Sequence, residues 1–334
     1  MKQPHFWNSV NIISVVLLPL SFVYNVLSKI NLFIQSLFSY TPKCKVICVG
    51  NINIGGTGKT QVVLKLAHIL TQKNLKICIV MQGYNGKLSN QNYATVIDSN
   101  KYSSIDTGDE PLMIATKLSY YKNITVIINK NKKVAVKRAE KLNPDLIIMD
   151  DGMQNNTVKK LSTICVIDGR VGFGNGFILP SGPLRESIKS GIKKSNAAII
   201  IRNDENQTSK LLKDSNIQIF YGDIVPNLNY IKNNHKKIFA FCSIGRPEKF
   251  FKSMGDIGLK PDETYSFPDH YNYTYYDIKN IINKYSVEYD IFTTDKDYVK
   301  IPNSYKKFIR SFSVELKIKD EDKFSEFIYS LIKN

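Results

Sequence analysis

The chain has 334 residues, of which 43% are hydrophobic, so it can bury a sizeable core and is not a disordered chain. Lys and Arg number 46 against 29 Asp and Glu, which gives a formal net charge of +17. This charge favours an anionic partner such as phosphate, nucleic acid or acidic lipid, although charge on solvated faces would give the same total. The five cysteines form no CxxC pair and the four histidines are scattered, which argues against a zinc cage and indicates a reduced, cytosolic protein.

The first 40 residues form an apolar segment of their own. Residues 12–27 read IISVVLLPLSFVYNVL, a run that is short and is interrupted by Pro19. A spanning helix needs about 20 apolar residues, whereas a helix lying in the membrane interface is shorter and tolerates polar positions. We therefore predict a monotopic, membrane-associating helix over residues 1–40. The alternatives are a helix packed against its own domain and a signal peptide, which would need a small-residue cleavage site that does not follow.

Beyond Tyr40, short apolar runs alternate with helical stretches. Each run is short enough to be a strand buried on both faces, and the segments between them are long enough for helical crossovers, which predicts a mostly parallel sheet and an α/β fold. The runs lie at 45–50, 76–81, 124–128, 145–150, 162–168 and 197–201. A polar stretch at 233–237 precedes a new strand, so we predict a core domain over 41–235 and a smaller α/β lobe over 236–334.

The segment VGNINIGGTGKT at 49–60 runs from the first strand into a helix, a context that predicts a phosphate loop. Glycines let the backbone approach phosphate oxygens, the lysine reaches the β- and γ-phosphates, and the threonine hydroxyl can ligate magnesium. These roles fall on Gly55, Gly56, Thr57, Gly58, Lys59 and Thr60. Asn53 stands where the consensus has its first glycine, so the pattern holds from GGTGKT onward. We predict a P-loop NTPase-like fold that binds ATP with Mg²⁺.

An acidic pair, Asp150 and Asp151, ends the apolar run DLIIMD and opens a turn at Gly152. P-loop enzymes usually hold their metal with an acidic residue at the end of another strand, directly or through water. We therefore predict that Asp150 and Asp151 help to hold Mg²⁺, with the division between them left open. The alternative is an ordinary Asp-Asp-Gly turn that ends a strand.

Six blocks accompany the phosphate loop along the chain: GYNG at 83–86, GDEP at 108–111, DDGMQN at 150–155, LPSGPLRE at 179–186, FPDHY at 267–271 and TTDKDYVK at 293–300. Together they resemble the tetraacyldisaccharide 4′-kinases of lipid A biosynthesis over nearly the whole chain, and that family's loop likewise lacks the early glycine. The resemblance implies an ATP-dependent kinase acting on the 4′-hydroxyl of an acylated glucosamine disaccharide 1-phosphate. It also implies a location on the cytoplasmic face of the inner membrane, with no nucleic acid and no obligate protein partner.

The resemblance further implies that Asp109 of GDEP is the catalytic base, assisted by His270 of FPDHY, and that Glu110 is a further metal ligand. A sugar hydroxyl is a poor nucleophile, so a carboxylate must accept or orient its proton, and a paired histidine can tune that carboxylate. From the residues alone, GDEP also fits a helix start and His270 a turn histidine.

Arg185 of LPSGPLRE is implied to contact phosphate and Glu186 to lie with it at the cleft, although an ordinary loop-to-helix junction would look the same. Residues 295–297 of TTDKD are implied to lie in the second lobe near the nucleotide. The chain departs from the family's pattern at Gln61, Gln82, Asn85, Asn155 and Tyr271, none of which is a proposed catalytic group.

A rival function from another class is a P-loop ATPase that acts as a switch or as a nucleic-acid-associated protein. It would use the net charge of +17 for a phosphate backbone. The sequence has no recognised RNA- or DNA-binding motif to support it.

Overall fold

The computed structural model describes residues 4–213, 215–227 and 236–333, and it confirms the predicted α/β class. The strands are β1 (Lys45–Gly50), β2 (Ile77–Met81), β3 (Thr95–Val96), β4 (Ile124–Ile128), β5 (Leu146–Asp150), β6 (Ser162–Asp168), β7 (Ala197–Ile201), β8 (Gln218–Pro226), β9 (Lys237–Cys242), β10 (Glu263–Ser266), β11 (Tyr289–Thr294), β12 (Ile309–Phe312) and β13 (Val314–Ile318). The helices are α1 (Ile12–Val16), α2 (Leu18–Leu37), α3 (Lys59–Thr71), α4 (Ser104–Thr107), α5 (Asp109–Lys117), α6 (Lys132–Glu140), α7 (Ile188–Lys193), α8 (Thr208–Leu212), α9 (Pro247–Gly255), α10 (Tyr275–Tyr285), α11 (Asp295–Tyr298) and α12 (Glu321–Lys333).

The larger of two sheets has nine strands in the order β13-β8-β7-β6-β1-β5-β2-β4-β3. Neighbouring strands run parallel except at the two edges, where β3 pairs antiparallel with β4 and β13 with β8. The register pairs Val49 near the end of β1 with Asp150 at the end of β5. Because the carboxyl ends of parallel strands meet at one edge of a sheet, the segments after β1 and β5 lie side by side there.

Helices cover both faces of the large sheet. Strands β2 and β5 are buried at every position, as expected for continuous apolar runs in a parallel sheet. On one face, α3, α5 and α12 contribute apolar side chains that include Leu66, Ile114 and Phe324. On the other face, α6 and α7 contribute Val136 and Ile192. The sheet is therefore a rigid frame for the loops at its edge.

The smaller sheet, in the order β10-β9-β11-β12, is parallel throughout and forms a second lobe. Residues 233–235 of the polar stretch that marked the predicted boundary lie outside the described residues. The predicted lobe extends to residue 334, but here the structure corrects the prediction, because β13 and α12 return to the large sheet. Strand β13 covers the open edge of β8, and α12 buries Phe324 and Ile328 in the core.

The N-terminal segment consists of α1 and α2. Most apolar side chains of α2 face solvent, with Phe22 69% exposed and Phe33 64% exposed. Ser21 is buried, and its hydroxyl lies 2.8 Å from the Ile178 carbonyl oxygen and 2.7 Å from the Ser181 hydroxyl. These contacts tie α2 to the loop that precedes α7. Among the helices of the described ranges, none combines the length and the apolar character needed to cross a bilayer.

Candidate active site

The predicted phosphate loop occupies residues 51–58, between β1 and α3. Gly55 and Gly58 have φ angles of 106° and 94°, in the left-handed region that favours glycine. A Cβ on Gly58 would also lie 2.8 Å from the Ile201 side chain. The first N–H groups of α3 have no partners within the helix, so the loop and helix together form a cradle for an anion.

Asn53, the departure from the phosphate-loop consensus, has a clear structural role. Its side chain is buried, and its Nδ2 donates a hydrogen bond of 3.0 Å to the Gly172 carbonyl. The Ile54 N–H donates to the Pro183 carbonyl at 2.8 Å. The early part of the loop is thus fixed by amide contacts to neighbouring loops, which leaves the conformational freedom of glycine to the later part.

Asp151 and Lys59 form the charged floor beside the loop. Lys59 Nζ lies 3.4 Å from Asp151 Oδ1 and 3.0 Å from Asn51 Oδ1, and Arg185 donates to the same Asp151 oxygen at 2.9 Å. Burial alone would raise the pKa of Asp151, but the charges of Lys59 and Arg185 outweigh it and lower the pKa. Asp151 is therefore an ionised carboxylate that positions two cations.

Asp150 has a different environment. Its carboxylate is buried, and Oδ1 has no hydrogen-bond partner among the described residues. Burial, reinforced by the nearby Glu110 carboxylate, raises the pKa of Asp150 to about 7. A buried carboxylate oxygen without a partner costs free energy unless a proton or a cation accompanies it. Asp150 thus has a buried oxygen that is available to a ligand.

The other predicted metal ligands, Thr60 and Glu110, meet directly where α3 and α5 approach each other. The Thr60 hydroxyl donates a hydrogen bond to Glu110 Oε1, and Lys296 Nζ lies 3.5 Å from the same oxygen. Burial alone would raise the pKa of Glu110, but Lys296 and Thr60 lower it. The lowered pKa favours the ionised carboxylate, so Glu110 presents a charged oxygen beside the loop.

These oxygens suit Mg²⁺, although no group of three or more His, Cys, Asp or Glu side chains in the described residues could hold a metal alone. Mg²⁺ usually takes one or two carboxylates together with phosphate oxygens and water, so a full protein cage is not required. The orphan oxygen of Asp150, the Thr60 hydroxyl and Glu110 fit that pattern.

The predicted base and its partner meet across the two lobes. His270 Nδ1 lies 2.9 Å from Oδ2 of Asp109, the first residue of α5, and this bond raises the pKa of His270. Burial alone would raise the pKa of Asp109, but the His270 hydrogen bond and the charge of Lys296 outweigh it and lower the pKa to about 2. Asp109 is therefore an ionised carboxylate, and its hydrogen bond favours the protonated form of His270.

Two glycine-containing blocks shape the backbone around Asp109. A Cβ on Gly86 would lie 2.4 Å from the Thr107 carbonyl carbon, and one on Gly108 would lie 2.5 Å from the Tyr84 carbonyl oxygen. The GYNG and GDEP blocks thus pack backbone to backbone. The Tyr84 ring, 68% exposed, lies 5.8 Å from the His270 ring and so borders the pair.

The remaining predicted residues are placed as follows. Arg185 contacts Asp151 and Gln154, so it belongs to the same charged cluster as Lys59. Glu186 is buried, and its carboxylate accepts hydrogen bonds from Gln154, Ser190 and Lys194.

The three residues of the TTDKD element diverge. Lys296 contacts Glu110 at the site, Asp295 pairs with Lys117 away from it, and Asp297 pairs with Lys300 inside the second lobe. Lys296 therefore lies on the side of the phosphate loop, whereas Asp297 supports the second lobe.

Three residues of the site had no role in the sequence prediction: Tyr84, Gln154 and Lys300. Each of the three lies within one of the six sequence blocks, so the sequence marked the block but not the individual residue. Lys300 is the clearest case, since its side chain is 3% exposed and its Nζ lies 3.7 Å from Asp109 Oδ2. That burial and contact could be recognised only from the fold.

The second lobe also approaches the phosphate loop on its other side. Lys249 of α9 lies 3.5 Å from Asp168 at the end of β6, and Arg202 pairs with the same carboxylate at 2.8 Å. Arg246 lines a small pocket with Asp168 and the loop residues 53–57. The phosphate loop therefore opens into the cleft between the lobes.

Comparison with known proteins agrees with this geometry. The family described as "Tetraacyldisaccharide-1-P 4'-kinase" matches residues 13–333. A tetraacyldisaccharide 4′-kinase of Rickettsia peacockii (strain Rustic) is 36% identical over 333 residues, covering 98% of both chains. One of Rickettsia canadensis (strain McKiel) is 34% identical and covers 98% of this chain and 97% of its own.

A solved structure is similar over the same range. The crystal structure of LpxK from Aquifex aeolicus in complex with ATP superposes with a TM-score of 0.78 at 25% identity, covering 96% of this chain and 100% of that one. On the family match and the identity to these relatives, the chain belongs to the tetraacyldisaccharide-1-P 4′-kinase family.

Proposed function

We propose that this chain transfers the γ-phosphoryl group of ATP to the 4′-hydroxyl of a tetraacylated glucosamine disaccharide 1-phosphate, forming a lipid IVA-type precursor of lipid A. Family membership makes the chain a kinase of lipid A biosynthesis and favours this reaction over a switch ATPase or a nucleic-acid-associated protein. One observation carries the proposal. Glu110 accepts a hydrogen bond from Thr60 of the phosphate loop, and the adjacent Asp109 meets His270, so donor and acceptor sites adjoin.

The donor half of the site consists of the phosphate loop and its charged floor. Backbone N–H groups of residues 55–60 bind the phosphate oxygens, and Lys59 stabilises the charge that develops on the γ-phosphoryl group. Arg185 orients Asp151 and, with its planar guanidinium, can reach a phosphate oxygen from the same cluster.

We assign the magnesium ligands to Thr60, Asp150 and Glu110. When bound there, Mg²⁺ neutralises phosphate charge and aligns the β- and γ-phosphates. Asp150 is the preferred aspartate because its Oδ1 has no other partner, whereas Asp151 Oδ1 is already shared by Lys59 and Arg185. Asp151 then keeps the two cations in place.

Asp109 orients the acceptor. The 4′-oxygen forms a bond to the γ-phosphorus while the bond from that phosphorus to the β–γ bridging oxygen breaks, and the hydroxyl proton passes to the Asp109–His270 pair. With a pKa of about 2, Asp109 is ionised throughout the physiological range but is a weak base. Orientation of the hydroxyl therefore matters more than early proton removal, as suits a loose transition state.

The N-terminal helices are proposed to dock on the cytoplasmic face of the inner membrane. Many of their apolar side chains are exposed, with Ile12 83% and Phe22 69% exposed, and Phe38, directly after α2, is 70% exposed. Exposed apolar side chains that lie together mark interaction surfaces. An interfacial helix buries such a face among the lipid head groups. The acyl chains of the proposed substrate lie in the same layer, so docking would bring the site to its acceptor.

The reaction is tested by transfer of radiolabelled γ-phosphate from ATP to an acylated disaccharide 1-phosphate in mixed micelles. We expect transfer by the wild type and a loss of about 10²- to 10⁴-fold in kcat for Asp109→Asn, the range found when a general base is removed. ATP hydrolysis without transfer by the wild type would refute the proposed acceptor. Transfer that survives Asp109→Asn would refute the proposed base.

Membrane docking is tested by sedimentation of the full chain with anionic phospholipid vesicles. We expect the wild type to sediment and the double variant Phe22→Glu, Phe33→Glu to remain in the supernatant. Phe308→Glu, at an exposed phenylalanine of the second lobe, is the control and should bind like the wild type. Equal binding by all three proteins would contradict docking through α2.

A further inference from the structure

Lys300 follows α11 in the second lobe, and its ammonium group is held entirely by that lobe. Its side chain is 3% exposed. Nζ donates to Ser243 Oγ at 2.7 Å and to the Tyr271 carbonyl at 3.2 Å, and it lies 3.0 Å from Asp297 Oδ1. A buried ammonium is costly unless its protons are accepted, and these three partners accept them. Lys300 is therefore ordered without help from the first lobe.

The same ammonium group faces the catalytic carboxylate of the first lobe. Nζ lies 3.7 Å from Asp109 Oδ2, the oxygen that His270 Nδ1 contacts at 2.9 Å. The longer distance makes this an electrostatic contact rather than a hydrogen bond. Two nitrogen groups of the second lobe, the Lys300 ammonium and the His270 ring, thus converge on Asp109 Oδ2, while Asp109 Oδ1 accepts the Glu110 N–H at 2.9 Å.

Lys300 also supports the backbone that carries His270. It binds the carbonyl of Tyr271, the next residue, and the hydroxyl of Ser243. The Ser243 carbonyl in turn accepts the His270 N–H at 3.0 Å. The His270 backbone has a φ of 58°, a conformation that a non-glycine residue keeps only when its surroundings hold it. Lys300 is one of the groups that hold it.

From this geometry we infer that Lys300 is a positioning residue for phosphoryl transfer, which fixes Asp109 and His270 relative to each other when the two lobes meet. The inference rests on the proposed function, because it assigns Lys300 an effect through the base Asp109. The polar contacts of Lys300 are with Ser243, Tyr271, Asp297 and Asp109, and none of these belongs to the phosphate loop. Its effect therefore falls on the rate of transfer and not on ATP binding.

The test compares Lys300→Gln with the wild type in the transfer assay with radiolabelled ATP and acylated disaccharide 1-phosphate. Glutamine keeps a donor for Ser243 and Tyr271 but removes the charge. We expect kcat to fall about tenfold to hundredfold, the range for a displaced catalytic group, while the KM for ATP and the melting temperature change little. Lys252→Gln, at an exposed lysine of α9 in the same lobe, is the matched control and should behave like the wild type.

A double variant separates positioning from a general loss of structure. Because Lys300 and His270 act on the same oxygen of Asp109, Lys300→Gln combined with His270→Asn should be no more than about threefold slower than the worse single variant. Losses that multiply, an unchanged kcat in Lys300→Gln, or a parallel fall of kcat, ATP affinity and melting temperature would each overturn the inference.

If Lys300→Gln does not fold, Lys300→Met, which fills the space without the charge or the donors, is measured in its place against the same three outcomes. Failure of both variants to fold would make Lys300 a structural residue and would also overturn the inference. If Asp109→Asn abolishes transfer and the Lys300 variants do not slow it, this inference fails while the proposed function stands.

Discussion

The donor half and the acceptor half of the site are built in different ways. The donor half comes from one sheet: the phosphate loop follows β1, the acidic pair lies at the end of β5, and the two strands are direct neighbours. The acceptor half is assembled across two sheets, because Asp109 starts a helix of the first lobe while His270 and Lys300 belong to the second. The parallel sheet thus fixes the position of the proposed phosphate site, whereas the contact between the lobes fixes the position of the proposed base.

The pKa of a buried carboxylate is shifted in opposite directions in the two halves. Asp150 has a pKa raised to about 7, by burial and by the Glu110 carboxylate, and it has an oxygen without a partner. The pKa of Asp109 is lowered to about 2, because the His270 hydrogen bond and the charge of Lys296 outweigh burial. Asp150 therefore suits the binding of a cation, and Asp109 suits the orientation of a neutral hydroxyl.

The largest expected difference between the two halves is in ATP binding. Lys59→Met removes the cation beside Asp151, and we expect ATP affinity to fall about 10²-fold, close to the effect of losing one preorganised donor to a phosphate or oxyanion. Asp109→Asn should bind ATP as the wild type does, because it lies in the other half. Isothermal titration with ATP and Mg²⁺ measures both. Similar losses in the two variants would show that the halves are not separable.

A second effect concerns the metal. Asp150→Asn removes a charge from the ligand with the free oxygen, and we expect the Mg²⁺ concentration for half-maximal activity to rise about 10- to 100-fold. Asp256→Asn, at an exposed position after α9, serves as the control. Activity is followed over a Mg²⁺ titration at fixed ATP. An unchanged midpoint in Asp150→Asn would assign the ligand to Asp151 instead.

A third effect isolates the contact between the lobes through the titration of His270. Asp109 stabilises the protonated imidazole, so the pKa of His270 lies above its ordinary value, and the contribution of the pair is present at low pH and lost as pH rises through that raised pKa. We expect Asp109→Asn to lower the pKa of His270 towards the ordinary value. NMR titration of the histidine ring signals, assigned with His270→Gln, gives the measurement. An identical pKa in both proteins would mean that the pair does not form in solution.

The donor half could be predicted from the sequence more directly than the acceptor half. The phosphate loop and the acidic pair could be predicted because each is a local pattern at the end of a buried strand, and a parallel sheet places such ends together. The partners Asp109 and His270 are 161 residues apart, and their association was predicted through a family resemblance rather than from spacing. The local sequence of Asp109 fits an ordinary helix start, and that of His270 fits an ordinary turn, as well as either fits a catalytic role.

The role of Lys300 and the return of β13 to the large sheet could not be predicted, for a shared physical reason. A lysine in a Lys-rich chain gives no sign of burial until its acceptors, Ser243 and Asp297, are placed around it. The apolar pattern of β13 fits an edge strand of either sheet, and the choice depends on the open edge of β8. Both are long-range effects, which local patterning does not encode.

The smallest effect tests whether the donor half depends on the N-terminal helices. The Ser21 hydroxyl accepts the Ser181 N–H at 3.0 Å, in the loop whose Pro183 carbonyl binds Ile54 of the phosphate loop. Ser21→Ala would leave a buried N–H without its partner, at a cost of about 1–3 kcal/mol, so we expect a lower melting temperature. Ser36→Ala, at an exposed serine of the same helix, is the matched control.

Because the Pro183 carbonyl of the disturbed loop binds the Ile54 N–H of the phosphate loop, Ser21→Ala should also raise the KM for ATP slightly while leaving the pKa of His270 unchanged. A KM like that of the wild type together with a lower melting temperature would mean that the loop is held firmly by its other contacts, such as the Trp7 indole bonded to the Pro180 carbonyl at 3.0 Å. A shift in the pKa of His270 would contradict the separation of the halves, since the Ser21 hydroxyl bonds to Ile178 and Ser181 of the first lobe.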